Sequence, residues 1–206
     1  MRILLAFPLF ALLSACSGLL PGSGPAPDLY TLSPATRFPE GLQRASWHLL
    51  IEEPSAVGGL EANRLAVQRT PNEVRYYADV RWVERAPRMV QGLLVETFER
   101  AGAVASVDRY TVGPRVDYVL KSELRDFQAE IFNNAKIPTA HVRLTVRLIR
   151  GARQDQVWTR DFEARVQARA ATAPEVVTAF DLALSQVMAE IVAVAVRDTP
   201  PPRRGG

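Results

Sequence analysis

The only cysteine in the chain, Cys16, closes the tetrapeptide Leu13-Ser14-Ala15-Cys16, directly behind an apolar run from Ile3 to Leu13. One basic residue, Arg2, precedes that run. A charged start, an apolar stretch and small residues are the parts of a secretory leader, and here the cleavage point abuts a thiol. The chemistry this spacing allows is lipidation of the sulfur, cleavage before Cys16 and acylation of the freed amine. The run is too short for the roughly 20 residues that a membrane-spanning helix needs. A single acyl chain holds a bilayer only marginally, whereas a cysteine acylated on both sulfur and amine would hold it durably. Ser17, standing where an aspartate would retain the protein in the inner membrane, directs the reading to the outer membrane. With Cys16 modified, the mature chain has no free thiol, which excludes disulfides and thiolate catalysis.

Other residues able to do chemistry are sparse. His48 and His141 are the only histidines; both fall in predicted strands and read as solvated or core-edge side chains. A Ser-His-acid triad needs a histidine beside its serine, and a zinc site needs more nitrogen or sulfur ligands than these two supply. Glu52 and Glu53 are neighbours in a strand, so they point to opposite faces and cannot flank one glycosidic bond. Asp79 and Glu84 read as surface partners for arginines. The two lysines, Lys121 and Lys136, lie outside any phosphate-binding loop pattern. Neither an enzymatic activity nor a metal or cofactor is expected, and any ATP hydrolysis must belong to another chain.

Charge narrows the partners. Lys and Arg total 25 against 22 Asp and Glu, a net charge of +3. Arg2 departs with the leader, and Arg203 and Arg204 in the tail carry the remaining excess, so the folded body is close to neutral. Nucleic-acid binding requires a concentrated basic face and is not expected. With 48% apolar and 23% charged residues, the composition suits a folded globular protein. The organisation read from the sequence is a leader over 1–15, then the lipidated cysteine and a Gly/Pro/Ser-rich tether over 16–28. One folded domain over 29–198 and an unstructured tail over 199–206 follow.

The elements of that domain show in the periodicity. Alternation with period two predicts strands over 47–53, 64–69, 73–83, 116–124, 141–149 and 157–166. In the third, Val74, Tyr76, Ala78, Val80 and Trp82 form one face. The 64–69 and 74–83 strands should pair as a hairpin through Thr70-Pro71-Asn72. Two helices are predicted. The first runs from about Pro87 to Arg100 and is stopped by Gly102. The second opens at Thr172-Ala173-Pro174-Glu175, a capping-box pattern, and extends to about Arg197. Strands with one apolar and one charged face imply a sheet wet on one side. The expected fold is α+β, a two-layer sandwich of a mostly antiparallel sheet with both helices on one face.

Two apolar features are candidates for contact with a partner. Trp82 ends its strand on the apolar face and reads either as a core plug beneath the first helix or as a partner-facing residue. In the 116–124 strand the alternation changes phase near Arg125 to Phe127, which signals a bulge or an end of pairing. Beyond it, Phe127, Ile131, Phe132 and Ile137 surround Asn133-Asn134, a pair suited to a hairpin tip. Four large apolar residues there would expose a patch unless covered. Either the tip folds onto the domain's own core, or it packs on a neighbouring subunit, a partner protein or a membrane surface.

The order of these segments resembles the ABC-type transport auxiliary lipoprotein family, of the PqiC/YmbA kind. The residues that carry the likeness are the leader ending in LSAC and the opening Asp28-Leu29-Tyr30-Thr31-Leu32. With them go the strand from Asn72 to Trp82, the helix near Pro87, Asp117-Tyr118-Val119-Leu120 with Glu123-Leu124-Phe127, and the Ala-rich final helix. The resemblance implies a tethered, non-enzymatic periplasmic component of a lipid-moving system. Its partners would be an ABC permease, an ATPase and a substrate-binding protein with an MCE domain. It also implies an outer-membrane bilayer contact through the acyl chains, leaves room for a homo-oligomer, and carries over only Cys16 as a functional position. An assembly or activator lipoprotein of lipopolysaccharide export or peptidoglycan synthesis shares the anchor and the small domain and stands as the alternative.

Overall fold

The computed structural model describes residues 26–110, 116–133, 135–151 and 155–202. Cys16, the leader, most of the tether, Asn134 and the last four residues lie outside them. The elements in chain order are β1 (Asp28–Tyr30), β2 (His48–Ile51), β3 (Ser55–Ala56), β4 (Arg64–Gln68), β5 (Arg75–Trp82), α1 (Ala86–Ala101), β6 (Ser106–Asp108), β7 (Tyr118–Glu130), β8 (Thr139–Arg150), β9 (Gln156–Gln167) and α2 (Ala173–Asp198).

The long strand β7 is the spine of the sheet. On one side it pairs antiparallel with β8 along its whole length, and β8 pairs antiparallel with β9. On its other side the chain from β2 to β4 runs beside it in the same direction. Leu49 pairs with Tyr118, Ser55 with Glu123, and Ala66 with Gln128. These three short strands behave as one interrupted strand. Outside them, β5 pairs antiparallel with β4 as the predicted hairpin, β1 pairs parallel with β5, and β6 pairs parallel with β2. The α+β class therefore stands, but the expectation of a mostly antiparallel sheet gives way to a mixed one. Alternation within a strand reports its faces and says nothing about its neighbour's direction.

Two irregularities decide which side chains face the core. The phase change near Arg125 is a bulge, since the β7–β8 register shifts between Leu124 and Asp126. Pairing resumes and β7 continues to Glu130, so Phe127 and Ala129 join Leu120 and Leu124 inside. The second irregularity contradicts the single even-numbered face expected for β5. Arg64 pairs with Arg81 and Ala66 with Tyr76; the three extra residues on β5 form a bulge, with Asp79 at φ 53°. An odd insertion exchanges the two faces of a strand. Val80 and Trp82 are buried, while Tyr76 lies on the outer face with the Arg64 guanidinium 4.0 Å over its ring.

α2 covers the inner face of β8 and β9, burying Val176, Phe180, Leu184, Val187, Met188 and Ile191. Among the described residues it is the one helix long and apolar enough to cross a membrane, and most of that apolar stretch is buried within the domain. Thr172 is its N-cap, as expected. The capping box is not formed, because the Thr172 side chain makes no cap hydrogen bond.

α1 packs on α2, β2 and β6. Its buried polar residues are satisfied: the Gln91 amide donates to Ile51 O (2.9 Å), and Thr97 Oγ1 donates to Leu93 O while accepting from Ala35 N. Gly102 stops it at φ 55°, where a side chain would be strained. Just after α2, Trp158 Nε1 donates to Thr199 Oγ1 (3.2 Å) and Tyr118 Oη to Pro200 O (2.6 Å), which holds the chain against β7 and β9 there.

Candidate functional site

One end of the sheet gathers the β4–β5 turn, the β7–β8 turn and the exit of β9. Ile131 N donates to Gln68 O at 2.8 Å, joining the first two turns. Between them lies an open cleft of about 490 Å³, lined by Arg69, Thr70, Glu73, Arg75, Ile131, Asn133 and Ala135. Asn133 sits at φ 55°, the left-handed conformation expected for this tip, and Ala135 N closes the turn on Phe132 O at 3.0 Å.

The four apolar residues expected together at the tip separate. Phe127 belongs to the core: its ring centroid is 5.1 Å from Phe180 and 5.7 Å from Trp82. Trp82 is itself 1% exposed and packs edge-on against Phe180 at 5.5 Å. α2 supplies part of its cover through Phe180, and the side chain is buried in the core. Ile131 and Ile137 are half-buried against the core edge, and Phe132 is half-buried on the turn. The partner-facing candidates that remain at the surface are thus Ile131, Phe132 and Ile137.

Behind the tip, on the outer face, lies a polar network that the sequence did not single out. His141 is 3% exposed. Its Nδ1 is 2.6 Å from Glu130 Oε1 on β7, and its Nε2 is 3.0 Å from Glu163 Oε1 on β9. Gln128 Nε2 donates to Asp126 Oδ1 at 2.9 Å, Arg143 pairs with Asp126, and Arg165 pairs with Glu163. Burial pushes the Asp126 carboxyl up, but hydrogen bonds from Gln128 and Arg143 and the nearby His141 outweigh it and hold it below the ordinary carboxylate range. Both nitrogens of His141 already face carboxylates, so the ring ties three strands together instead of waiting for a substrate. The spacing Gln128, His141, Arg165 across three strands was the available signal, but it appears only once the register is known. Among the described residues, no cluster of His, Cys, Asp and Glu is arranged to hold a metal.

The family model of the ABC-type transport auxiliary lipoprotein component matches residues 30–192, from the last residue of β1 through most of α2. The chain belongs to this family. The auxiliary lipoprotein also resembles a crystal structure of protein XCC0632 from Xanthomonas campestris, a DUF330 protein, at 28% identity and a TM-score of 0.77. That likeness covers 82% of this chain and 94% of the other. The fold alone is shared with the hypothetical protein CT253 from Chlamydia trachomatis, at 9% identity and a TM-score of 0.51 over 75% of this chain and 98% of that one. No curated protein matches the sequence. Membership in a transport-auxiliary lipoprotein family, which is not a known enzyme family, makes this an envelope-associated, lipid-anchored protein that works with an ABC transport system.

Proposed function

We propose that this auxiliary lipoprotein is a non-enzymatic docking component of an MCE-type ABC lipid transport system, held at the periplasmic face of the outer membrane by acyl chains on Cys16. The observation that carries the reading is the family match over 30–192 on a domain that follows a leader ending in Leu13-Ser14-Ala15-Cys16. The mechanism is positional. An anchor converts the meeting of two proteins into a local event at raised effective concentration, which strengthens binding without new contacts. At the tip, Ile131, Phe132 and Ile137 form the half-buried apolar surface, backed by the buried core of Trp82, Phe127 and Phe180, and the partner meets the domain elsewhere.

Affinity purification of the tagged full-length protein from solubilised envelopes tests this. Recovery of an MCE-domain protein with its permease and ATPase is expected. Recovery of lipopolysaccharide-export or cell-wall synthesis proteins instead would contradict it.

A further inference from the structure

We infer that the end of the sheet carrying the β4–β5 and β7–β8 turns rests on an anionic lipid surface, so that the domain stands on the membrane in one fixed orientation. This rests on the Cys16 anchor proposed above and names what the tip touches. β1 runs parallel to β5, with Asp28 opposite Val80 and Tyr30 opposite Trp82. β1 therefore enters from the side of β5 that carries Arg75, which is the tip end. The same end receives the last residues of β4, β7 and β9 and the first residues of β8 and α2.

Tether length agrees. The Gly/Pro/Ser-rich stretch from Cys16 to Asp28 has a typical end-to-end distance of about 20 Å as a flexible coil and about 40 Å at full stretch. Starting part-way along β5, a coil of that size brings the lipidated sulfur close to the level of the turns. Reaching the opposite end, where Tyr118 holds Pro200, would require the tether to reverse its direction and extend beyond its typical coil length.

The chemistry of the end face also fits. Arg69, Lys136 and Arg169 are exposed there and have no ion-pair partner among the described residues, while Arg75 is paired with Glu73. Glu175 is the other carboxylate at this end outside the closed His141 network. Half-buried Ile131, Phe132 and Ile137 stand among these cations. Basic side chains around a few apolar residues are what a headgroup layer recognises: the cations meet phosphates and the apolar groups enter the acyl boundary.

The test uses full-length, processed protein reconstituted in vesicles of phosphatidylcholine with phosphatidylglycerol. One labelled cysteine replaces Asn133 at the tip (Asn133→Cys) or Gln156 at the far end (Gln156→Cys), and a headgroup quencher reads proximity. Strong quenching at 133 and little at 156 is expected. The difference should vanish in phosphatidylcholine alone, at high salt, or in the triple variant Arg69→Glu, Lys136→Glu, Arg169→Glu, while the protein still floats with the vesicles. Flotation with equal quenching at both positions would overturn the orientation and leave the anchor intact. Failure to float would sink the anchor and the orientation together. Shielding of position 133 that persists in neutral vesicles and rises with protein density would assign the tip to a second copy and overturn the lipid contact.

Discussion

Phe127 of β7 packs against Phe180 of α2 with ring centroids 5.1 Å apart, and Trp82 closes the triangle against both. Only four residues separate Phe127 from Phe132, yet one is core and the other lies half-buried at the surface. Phe127→Ala should cost about 3–5 kcal/mol through lost burial and an unfilled cavity. Phe132→Ser should cost under about 1 kcal/mol. Urea midpoints of the two variants check this, and equal losses would contradict the placement of the tip.

Gly151 leaves no room for a side chain. A Cβ there would lie 2.6 Å from Val116 O, a backbone atom that cannot rotate away. Gly151→Ala should therefore destabilise by about 1–3 kcal/mol as the β8 end shifts. A wild-type melting temperature for this variant would show that the contact is absent.

Asp126 predicts an acid-sensitive sheet end. Its folded-state pKa is held below its unfolded value by Gln128 and Arg143 against the effect of burial, so the unfolded chain binds more protons in that window. The stabilisation is fully present above the ordinary carboxylate value near pH 3.9 and is lost as pH falls through the folded value. The gap in melting temperature between wild type and Asp126→Asn should be widest near neutrality and close only as the pH falls below the ordinary carboxylate range. A gap that widens on acidification would contradict the assignment.

His141 should be structural. His141→Gln is expected to loosen the β7–β8–β9 junction, where the ring now meets Glu130 and Glu163. Hydrogen exchange should quicken at Glu130, His141 and Glu163 while α1 amides keep their protection. Unchanged exchange at these strand amides would remove the network's role in holding the tip.

The sequence revealed the elements more readily than their arrangement. α1, α2, the β4–β5 hairpin and the long strands β7, β8 and β9 announce themselves through periodicity, and even the bulge at Arg125 shows as a change of phase. Taken literally, that phase change already sends Phe127 inward, because one inserted residue exchanges the faces. The bulge around Asp79 was hidden for the opposite reason. Tyr76, Val80 and Trp82 are all compatible with an inner face, so the alternation continues on paper across a strand that turns over. The parallel pairing of β2, β3 and β4 with β7 and the His141 network are long-range facts. No local pattern encodes which strands meet, and His141 becomes a tie only when β7 and β9 flank it.

In the proposed function, a lipid on the sixteenth residue holds this domain beside a bilayer. Intact mass spectrometry of the mature protein purified from membranes decides whether it is there, with Cys16→Ala as the control. The expected result is a chain beginning at Cys16 with acyl mass on both sulfur and amine, and a Cys16→Ala form that lacks this mass and leaves the outer-membrane fraction. An unmodified thiol at Cys16, or a Cys16→Ala protein that still sediments with the outer membrane, would contradict it.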